Sequence, residues 1–482
     1  MGFLDSILNI FKKKRNIAYA KSQSVDLIEL KKNPYYIVAS VELGNTTTKS
    51  IVTATNMDTG KTYIISKAVR MTREVRKPKK GEKVFGKTLW GVELSREAVA
   101  EMVRDVLLES LKKANLTIDD LHFVVRSTGV TAGFASPEEV SEVIIALAQG
   151  CMLAGVPPAK MTPAMSKEQL PKPFDKYSFL DKIIFDGAVT GVLPPTGKEV
   201  VANEMEGELV TAGIKVGSKW THVDFRNPCM SIDFGTTLAG RITDEKLPYS
   251  NVIGNLCGLA GAIADSIVRG SGKVDPKTGA VLDIKEDGKV NEEKAKEYSE
   301  EIHKYIIIKE VPKNVNRFGT VPVDPKSAEK AGTTLLGCDV GENGSDLEKL
   351  KEIGKEIYEN YGMGTLLRTL DYTMAKVVKR LVELAHNKNL IDEKTAIGVT
   401  GRAGITGKKP EIILEYLDEL KIWDKVEDNV VFVEDGLALG ASVMARCMNC
   451  LGTPKVPIGG VRGGPCILGL RMKWQRERGM IR

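Results

Sequence analysis

The chain has 482 residues, 42% of them apolar and 27% charged, enough for two or three cores of ordinary soluble composition. A formal charge of +6 suits an anionic nucleotide and, without a dense basic stripe, gives no support to nucleic-acid binding. Seven cysteines, of which only Cys447 and Cys450 are close in sequence, do not form a secreted disulfide framework and point to a reduced cytoplasm.

No apolar run is long enough to span a bilayer. Residues 1–34 are read as an amphipathic helix and linker, with Phe3, Leu4, Ile7, Leu8 and Phe11 on one face ahead of a basic run that ends at Arg15. Residues 1–15 could thus contact a membrane surface or a partner; the more ordinary alternative is a terminal helix packed on its own protein or frayed. Strands are predicted over 36–43 and 49–55, flanking a Gly–Thr turn, and over Thr62–Met71 after the Asp58-Thr59-Gly60 turn. The basic stretch from Arg73 to Lys87 reads as a mobile loop, either solvated or docking. Ser95 caps a helix to about Lys113, and a strand over Leu121–Arg126 runs into Ser127-Thr128-Gly129. Ser136-Pro137-Glu138-Glu139 opens another helix. These elements make one RNase H-like lobe over 35–215, closed by a proline-punctuated connector (Pro157–Pro173) and an insertion with strands at Phe185–Val192 and Leu209–Ile214.

A second lobe is expected over 216–459. Its opening strand, Met230–Ile232, precedes a small-residue stretch from Gly254 to Gly261 that reads as a helix start. Residues 270–340 form a charged insertion with a short strand at Tyr305–Ile308. Ser345 caps one helix, Thr365–His386 forms another, and strands follow at Ala396–Thr400 and Val430–Val433. A last helix ends at Cys450, and residues 460–482 make a basic tail.

Two stretches a half-chain apart share one pattern: apolar strand, acid, any residue, glycine, threonines. They are Val41-Glu42-Leu43-Gly44-Asn45-Thr46-Thr47-Thr48-Lys49 and Ile232-Asp233-Phe234-Gly235-Thr236-Thr237. Glycine lets the backbone approach a phosphate, threonine amides and hydroxyls supply donors, and the acid can order Mg²⁺ or water. A third glycine turn, Thr400-Gly401-Arg402-Ala403-Gly404, follows a strand near the end. Amides around Gly258 and Gly261 could lie against a phosphate or ribose; tight helix packing is the competing use of those glycines.

This trio resembles the two phosphate loops and the adenosine loop of the ASKHA superfamily of acetate and sugar kinases, heat-shock chaperones and actin. Within it the chain is most similar to the reductive activases of 2-hydroxyacyl-CoA dehydratases and corrinoid proteins. The matching pieces are Val41–Lys49, Ser127–Gly129, Ile232–Thr237, Gly254–Gly261 and Asp435-Gly436 through Gly440. Over nearly its whole length the chain is similar to the methanogenesis marker protein 14 family of archaea. The resemblance implies an α/β fold of two RNase H-like, actin-like ATPase lobes with a nucleotide cleft between them, plus insertions, and ATP with Mg²⁺ as cofactors. It places Gly44, Asn45, Thr46, Thr47 and Lys49 on one side of the β/γ-phosphates and Gly235, Thr236 and Thr237 on the other. Gly401, Arg402, Ala403 and Gly404 would border adenosine, with Arg402 stacking on the base or reaching a phosphate. Asp233 and Glu42 would hold the attacking water and Mg²⁺, the metal through water. Glu42 stands where the superfamily usually has aspartate, a difference of roughly 1 Å or more in reach.

Three functions compete: an ATPase whose lobe closure activates a partner metalloenzyme or corrinoid protein in methanogenesis, a small-molecule phosphotransferase, and a nucleotide-binding scaffold without turnover. For the phosphotransferase the sequence shows no separate general base. In dehydratase activators a [4Fe–4S] cluster joins two subunits, each giving two cysteines, the first opening the helix after the second phosphate loop. The resemblance puts Cys257 at that place; Cys338 lacks a matching context. Cys447 and Cys450 share a helical face and suit a packed helix. Iron–sulfur sites normally need four thiolates, so no cluster is expected, although a homodimer could supply four.

Overall fold

Each half of the chain folds a three-strand antiparallel meander and then returns a fourth strand parallel to its first. The computed structural model describes residues 15–32, 34–130, 137–162, 204–245, 252–449 and 451. After a short strand β1 (Ala18–Ala20) and helix α1 (Leu27–Lys32), the first meander is β2 (Tyr35–Leu43), β3 (Thr47–Asn56) and β4 (Thr62–Met71). A ribbon of β5 (Val84–Lys87) and β6 (Glu93–Ser95) leads into α2 (Arg96–Lys113), then β7 (Phe123–Thr128) and α3 (Pro137–Leu153). The sheet order is β4-β3-β2-β7, with β7 parallel to β2. Ser95 caps α2 as expected, its hydroxyl accepting from the Ala98 amide at 3.3 Å.

The second half repeats the plan. Helix α4 (Glu204–Gly217) precedes β8 (Cys229–Phe234), β9 (Leu238–Thr243) and β10 (Val252–Gly258), and then α5 (Gly261–Arg269), α6 (Glu292–Ile302) and β11 (Ile306–Glu310). A hairpin of β12 (Arg317–Phe318) and β13 (Val321–Pro322) follows, with α7 (Pro325–Lys330), β14 (Thr334–Val340) and α8 (Leu347–Asn387). The chain continues through β15 (Ala396–Thr400), α9 (Arg402–Ile405), α10 (Lys409–Asp418), β16 (Val430–Val433) and α11 (Gly436–Met448). The large sheet runs β1-β16-β15-β8-β9-β10-β14-β11, with β15 parallel to β8. The order β10-β9-β8-β15 matches β4-β3-β2-β7 strand for strand, so the molecule is two RNase H-like lobes of the actin-like ATPase type. Each has its own core, and a third cluster joins Ile51 and Ile64 of the first sheet to Leu209 and Ile214 of α4 and Leu437 of α11.

Several expectations give way. Leu209–Ile214 is helix, not strand. Its β-branched run mimicked a strand, but Gly213 lies against the Gly436 carbonyl and Gly440 against the Leu209 carbonyl. An added methyl would come within 1.7 Å in either case, so α4 and α11 cross backbone to backbone. The Gly254 stretch is strand β10, and its helix starts only at Gly261. The 270–340 stretch contributes β11 and β14 to the large sheet. Arg73–Lys87 is not a free loop: Arg76 forks onto Glu82 and Glu101, Arg73 onto Asp283, and its end is β5. Ser345 accepts from the Glu342 amide, the next helix starting after Asp346, and Gly362 (φ 76°) kinks α8 where two helices were expected. The strand expected at Phe185–Val192 lies outside the described residues. Among the described residues no helix is long and apolar enough to cross a membrane.

Candidate functional site

The two Gly–Thr turns are the tips of hairpins β2–β3 and β8–β9. In the first, the Gly44 amide donates to the Thr47 carbonyl at 2.9 Å, closing a tight turn that brings Glu42 opposite Lys49. The Lys49 ammonium sits 2.9 Å from Glu42 Oε2. Burial pushes the Lys49 pKa down, but Glu42, with Asp233 and Asp435 beyond it, more than reverses this and leaves it raised. In the second hairpin the residue opposite Asp233 is Ala239, which offers no charge. Asp233 is 6% exposed, and burial pushes its pKa up to about 7, Lys49 opposing and Glu42 reinforcing the shift.

A third carboxylate, absent from the sequence reading, joins them. Glu206, on the first turn of α4, is raised well above the carboxylate range by burial, then by Asp233 and Glu42, against the pull of Lys49. The signal was present in Glu204-Met205-Glu206-Gly207-Glu208, an acid-rich helix start, but the strand assignment just downstream hid it. The glycine turns close around these acids. A methyl on Gly44 would stand 3.6 Å from Glu42 Oε1, one on Gly129 3.8 Å from Glu206 Oε1, and one on Gly235 3.9 Å from Asp233 Oδ2. Gly401, at φ 83°, lies tighter still: a methyl there would sit 2.6 Å from Asp233 Oδ1 and 2.4 Å from the Phe234 carbonyl. Only glycine lets the third turn rest on the second.

Beneath that third turn the buried Lys409 ammonium meets Asp371 Oδ1 at 2.8 Å, and the Lys408 amide meets Oδ2 at 3.0 Å. Removing either partner strands a charge, at a cost of about 3–5 kcal/mol. The turn is therefore held from below, while Arg402 is exposed and Ala403 half-buried above. Gly404 is buried and bonds back to the Gly401 carbonyl at 2.9 Å.

Not every candidate faces this cup. Asn45 is buried, its amide donating to the Gly129 carbonyl and accepting from the Leu89 amide, both at 2.7 Å; it staples the loop instead of offering a free donor. A methyl on Gly258 would strike the Cys338 carbonyl at 2.0 Å, and the Gly261 amide already donates to the Gly235 carbonyl at 2.7 Å. Both glycines serve packing. Thr46 and Thr236 meet hydroxyl to hydroxyl at 2.9 Å, and Thr47 and Thr237 flank them, Thr237 bridged to Leu259. Cys257 does not open a helix: it points from β10 into a cluster with Phe318 and Val321, while Cys338 of β14 faces the opposite, main core. Burial drives the Cys257 thiol up to about 12. Cys447 is buried, and Cys450 lies outside the described residues.

Three carboxylates with one ammonium leave a surplus of negative charge that a divalent cation would balance. Among the described residues no three His, Cys, Asp or Glu side chains form a ready cage.

A family model described as an uncharacterized protein conserved in archaea (DUF2114) matches residues 35–475. A Methanocaldococcus jannaschii protein is 82% identical over 483 residues, covering 100% of both chains. One from Methanothermobacter thermautotrophicus is 59% identical over 449 residues, 92% of this chain and 84% of the other. Among solved structures, the ethanolamine utilization protein EutJ from Carboxydothermus hydrogenoformans aligns over 87% of this chain and 90% of its own, at 11% identity and TM-score 0.35. A reductive activator for corrinoid,iron-sulfur protein aligns over 86% and 60%, at 12% identity and TM-score 0.33.

Proposed function

The chain belongs to the archaeal family DUF2114, and we propose that it binds and hydrolyses Mg·ATP, coupling closure of its two lobes to activation of a partner metalloenzyme or corrinoid protein. The carrying observation is the cup itself: Glu42, Glu206 and Asp233, with Lys49, stand against glycine turns drawn from both lobes. Bound Mg²⁺ would neutralise phosphate charge and order water. Asp233, which lacks a counter-ion across its own hairpin, is the residue to face that metal through water. Glu42 is already paired to Lys49 and serves as the fixed wall of the cup, orienting water. Glu206, held against the Gly129 turn of the first lobe, is the carboxylate we assign to take the proton of an attacking water. Gly401 sets the third turn over Asp233, where adenosine would lie. The resemblance to the methanogenesis marker family supports a partner in methane formation. Calorimetry with Mg·ATP and Mg·ADP, followed by phosphate release with and without methanogen extract, tests this. Micromolar binding and extract-stimulated turnover are expected; no binding of either nucleotide would sink the reading.

Glu206 also lends support to a second reading. It is a carboxylate beside the cup, additional to Glu42 and Asp233, that a phosphotransferase would use as its general base, so phosphate release that becomes acceptor-dependent in a screen of small alcohols and carboxylates would favour that function.

A further inference from the structure

Thr46, at the tip of the first phosphate turn, is engaged from three sides. Its hydroxyl lies 2.9 Å from Thr236 Oγ, 3.2 Å from Asp265 Oδ2 and 3.1 Å from the Trp90 indole nitrogen. A hydroxyl has one proton to give and two lone pairs. Donating to Asp265 and accepting from Trp90 and Thr236 uses all of them, so a phosphate oxygen, itself an acceptor, gains the Thr46 proton only by displacing Asp265. Thr236 and Asp265 belong to the opposite lobe. A second strap lies alongside, with Arg73 placing two nitrogens on the Asp283 carboxylate at 2.8 and 2.7 Å.

The two straps are joined on both sides. In the first lobe the Thr72 amide donates to the Thr46 carbonyl at 2.9 Å and its hydroxyl to the Gly44 carbonyl at 2.8 Å, so Arg73 is one residue from a rigid brace of the phosphate turn. In the second lobe Asp265 Oδ1 accepts from the Val281 amide at 3.0 Å, in the same short turn that carries Asp283. Trp90 is clamped from across by the Arg269 guanidinium, 3.6 Å above its ring. Motion at either strap must therefore be felt at the other.

We propose that these contacts form a cross-lobe latch on the first phosphate turn, centred on Asp265 as a positioning residue, and that a Mg·nucleotide opens it by competing for the Thr46 hydroxyl, freeing that turn to close on the nucleotide in the lobe movement proposed above. The proposal rests on the nucleotide reading above and adds its regulation: whatever loosens Arg73–Asp283 favours nucleotide binding, and nucleotide binding loosens that contact by the same factor.

The test uses the full chain, Mg·ADP calorimetry and Trp90 emission. Arg73→Gln lies outside the carboxylate cup and is expected to tighten Mg·ADP by about twofold to fivefold, the scale of a well-formed surface ion pair. The charge-reversed pair Arg73→Glu with Asp283→Arg should return affinity toward wild type. Saturating Mg·ADP should shift an emission component that is missing in Trp90→Phe, because the Thr46 hydroxyl that accepts from the indole turns from Asp265 toward the phosphate. If wild type binds but Arg73→Gln binds equally or more weakly, or Trp90 emission stays fixed, the latch is overturned and the nucleotide reading stands. If wild type binds no nucleotide, both fall.

Discussion

The two Gly–Thr hairpins share a backbone plan and differ in one cross-strand residue. Opposite Glu42 stands Lys49; opposite Asp233 stands Ala239. The first lobe thus brings a carboxylate with its own counter-ion, fixed and charge-neutral as a pair. The second brings one whose charge is opposed only from across the cleft, and its pKa rises to about 7. The added methylene of Glu42 acquires a use in this comparison, because it spans the hairpin to reach the Lys49 ammonium at 2.9 Å. A duplicated motif has been divided into a paired wall and a carboxylate that invites a cation.

The strongest way to break this division is Asp233→Asn. Loss of turnover by about 10³-fold or more is expected in a phosphate-release assay, since one charged group at the reacting phosphate is removed. Stability should move the other way. The folded pKa of Asp233 lies near 7, above its ordinary 3.8, so its contribution favours folding below about pH 4 and is lost as pH rises through 7. The asparagine variant escapes that loss, and thermal melts at pH 8 should show it more stable by on the order of 1–3 kcal/mol, with the gap closing toward pH 4. In wild type, kcat/KM should fall as pH drops through about 7, as Asp233 takes up a proton. A variant that is both active and less stable would contradict the assignment.

Glu206→Gln sharpens the contrast from the helix side. A fall in kcat of about 10²-fold with KM for Mg·ATP within about twofold would mark a proton acceptor that contributes little to binding. Matching losses in both parameters would instead make it a binding group. The smallest effect belongs to Glu42→Asp. Shortening the acid parts it from Lys49, and steady-state rates should drop about tenfold. A faster variant would show that the longer side chain was acting as a brake and that the ion pair is incidental.

Much of this was legible before any coordinates, for local reasons. Thr62–Met71, Ala396–Thr400 and Val430–Val433 are strands to the residue expected, because apolar runs there end in strong turn signals. The glycines of three turns were found because their chemistry is contained in four or five neighbouring residues. What was missed depends on partners remote in sequence. Glu206 went unnoticed because the helix that carries it was read as strand just downstream, and because Asp233 and Glu42, which bear on it, are remote in sequence, a proximity that no local pattern encodes. Arg73 and Arg76 read as a mobile basic run because Asp283 and Glu101 were not yet known to be neighbours. For Gly258 and Gly261 two uses were open, ligand contact and close packing, and the close backbone contacts at both come from Cys338 and Gly235, which are remote in sequence.

Strand β1 has a practical consequence. It runs parallel to β16, pairing Ala18 with Val431 and Ala20 with Val433, and Arg15 just before it reaches Asp418 and Glu427 at 3.1 Å each. This three-residue strand is the cover on that side of the large sheet. A chain trimmed to begin at Tyr35 would keep both lobes' meanders yet leave the Val-Val-Phe-Val run of β16 with open hydrogen-bonding groups along a flat apolar margin. Such margins recruit neighbouring molecules, so the trimmed protein would be prone to self-association through strand addition for reasons unrelated to its chemistry.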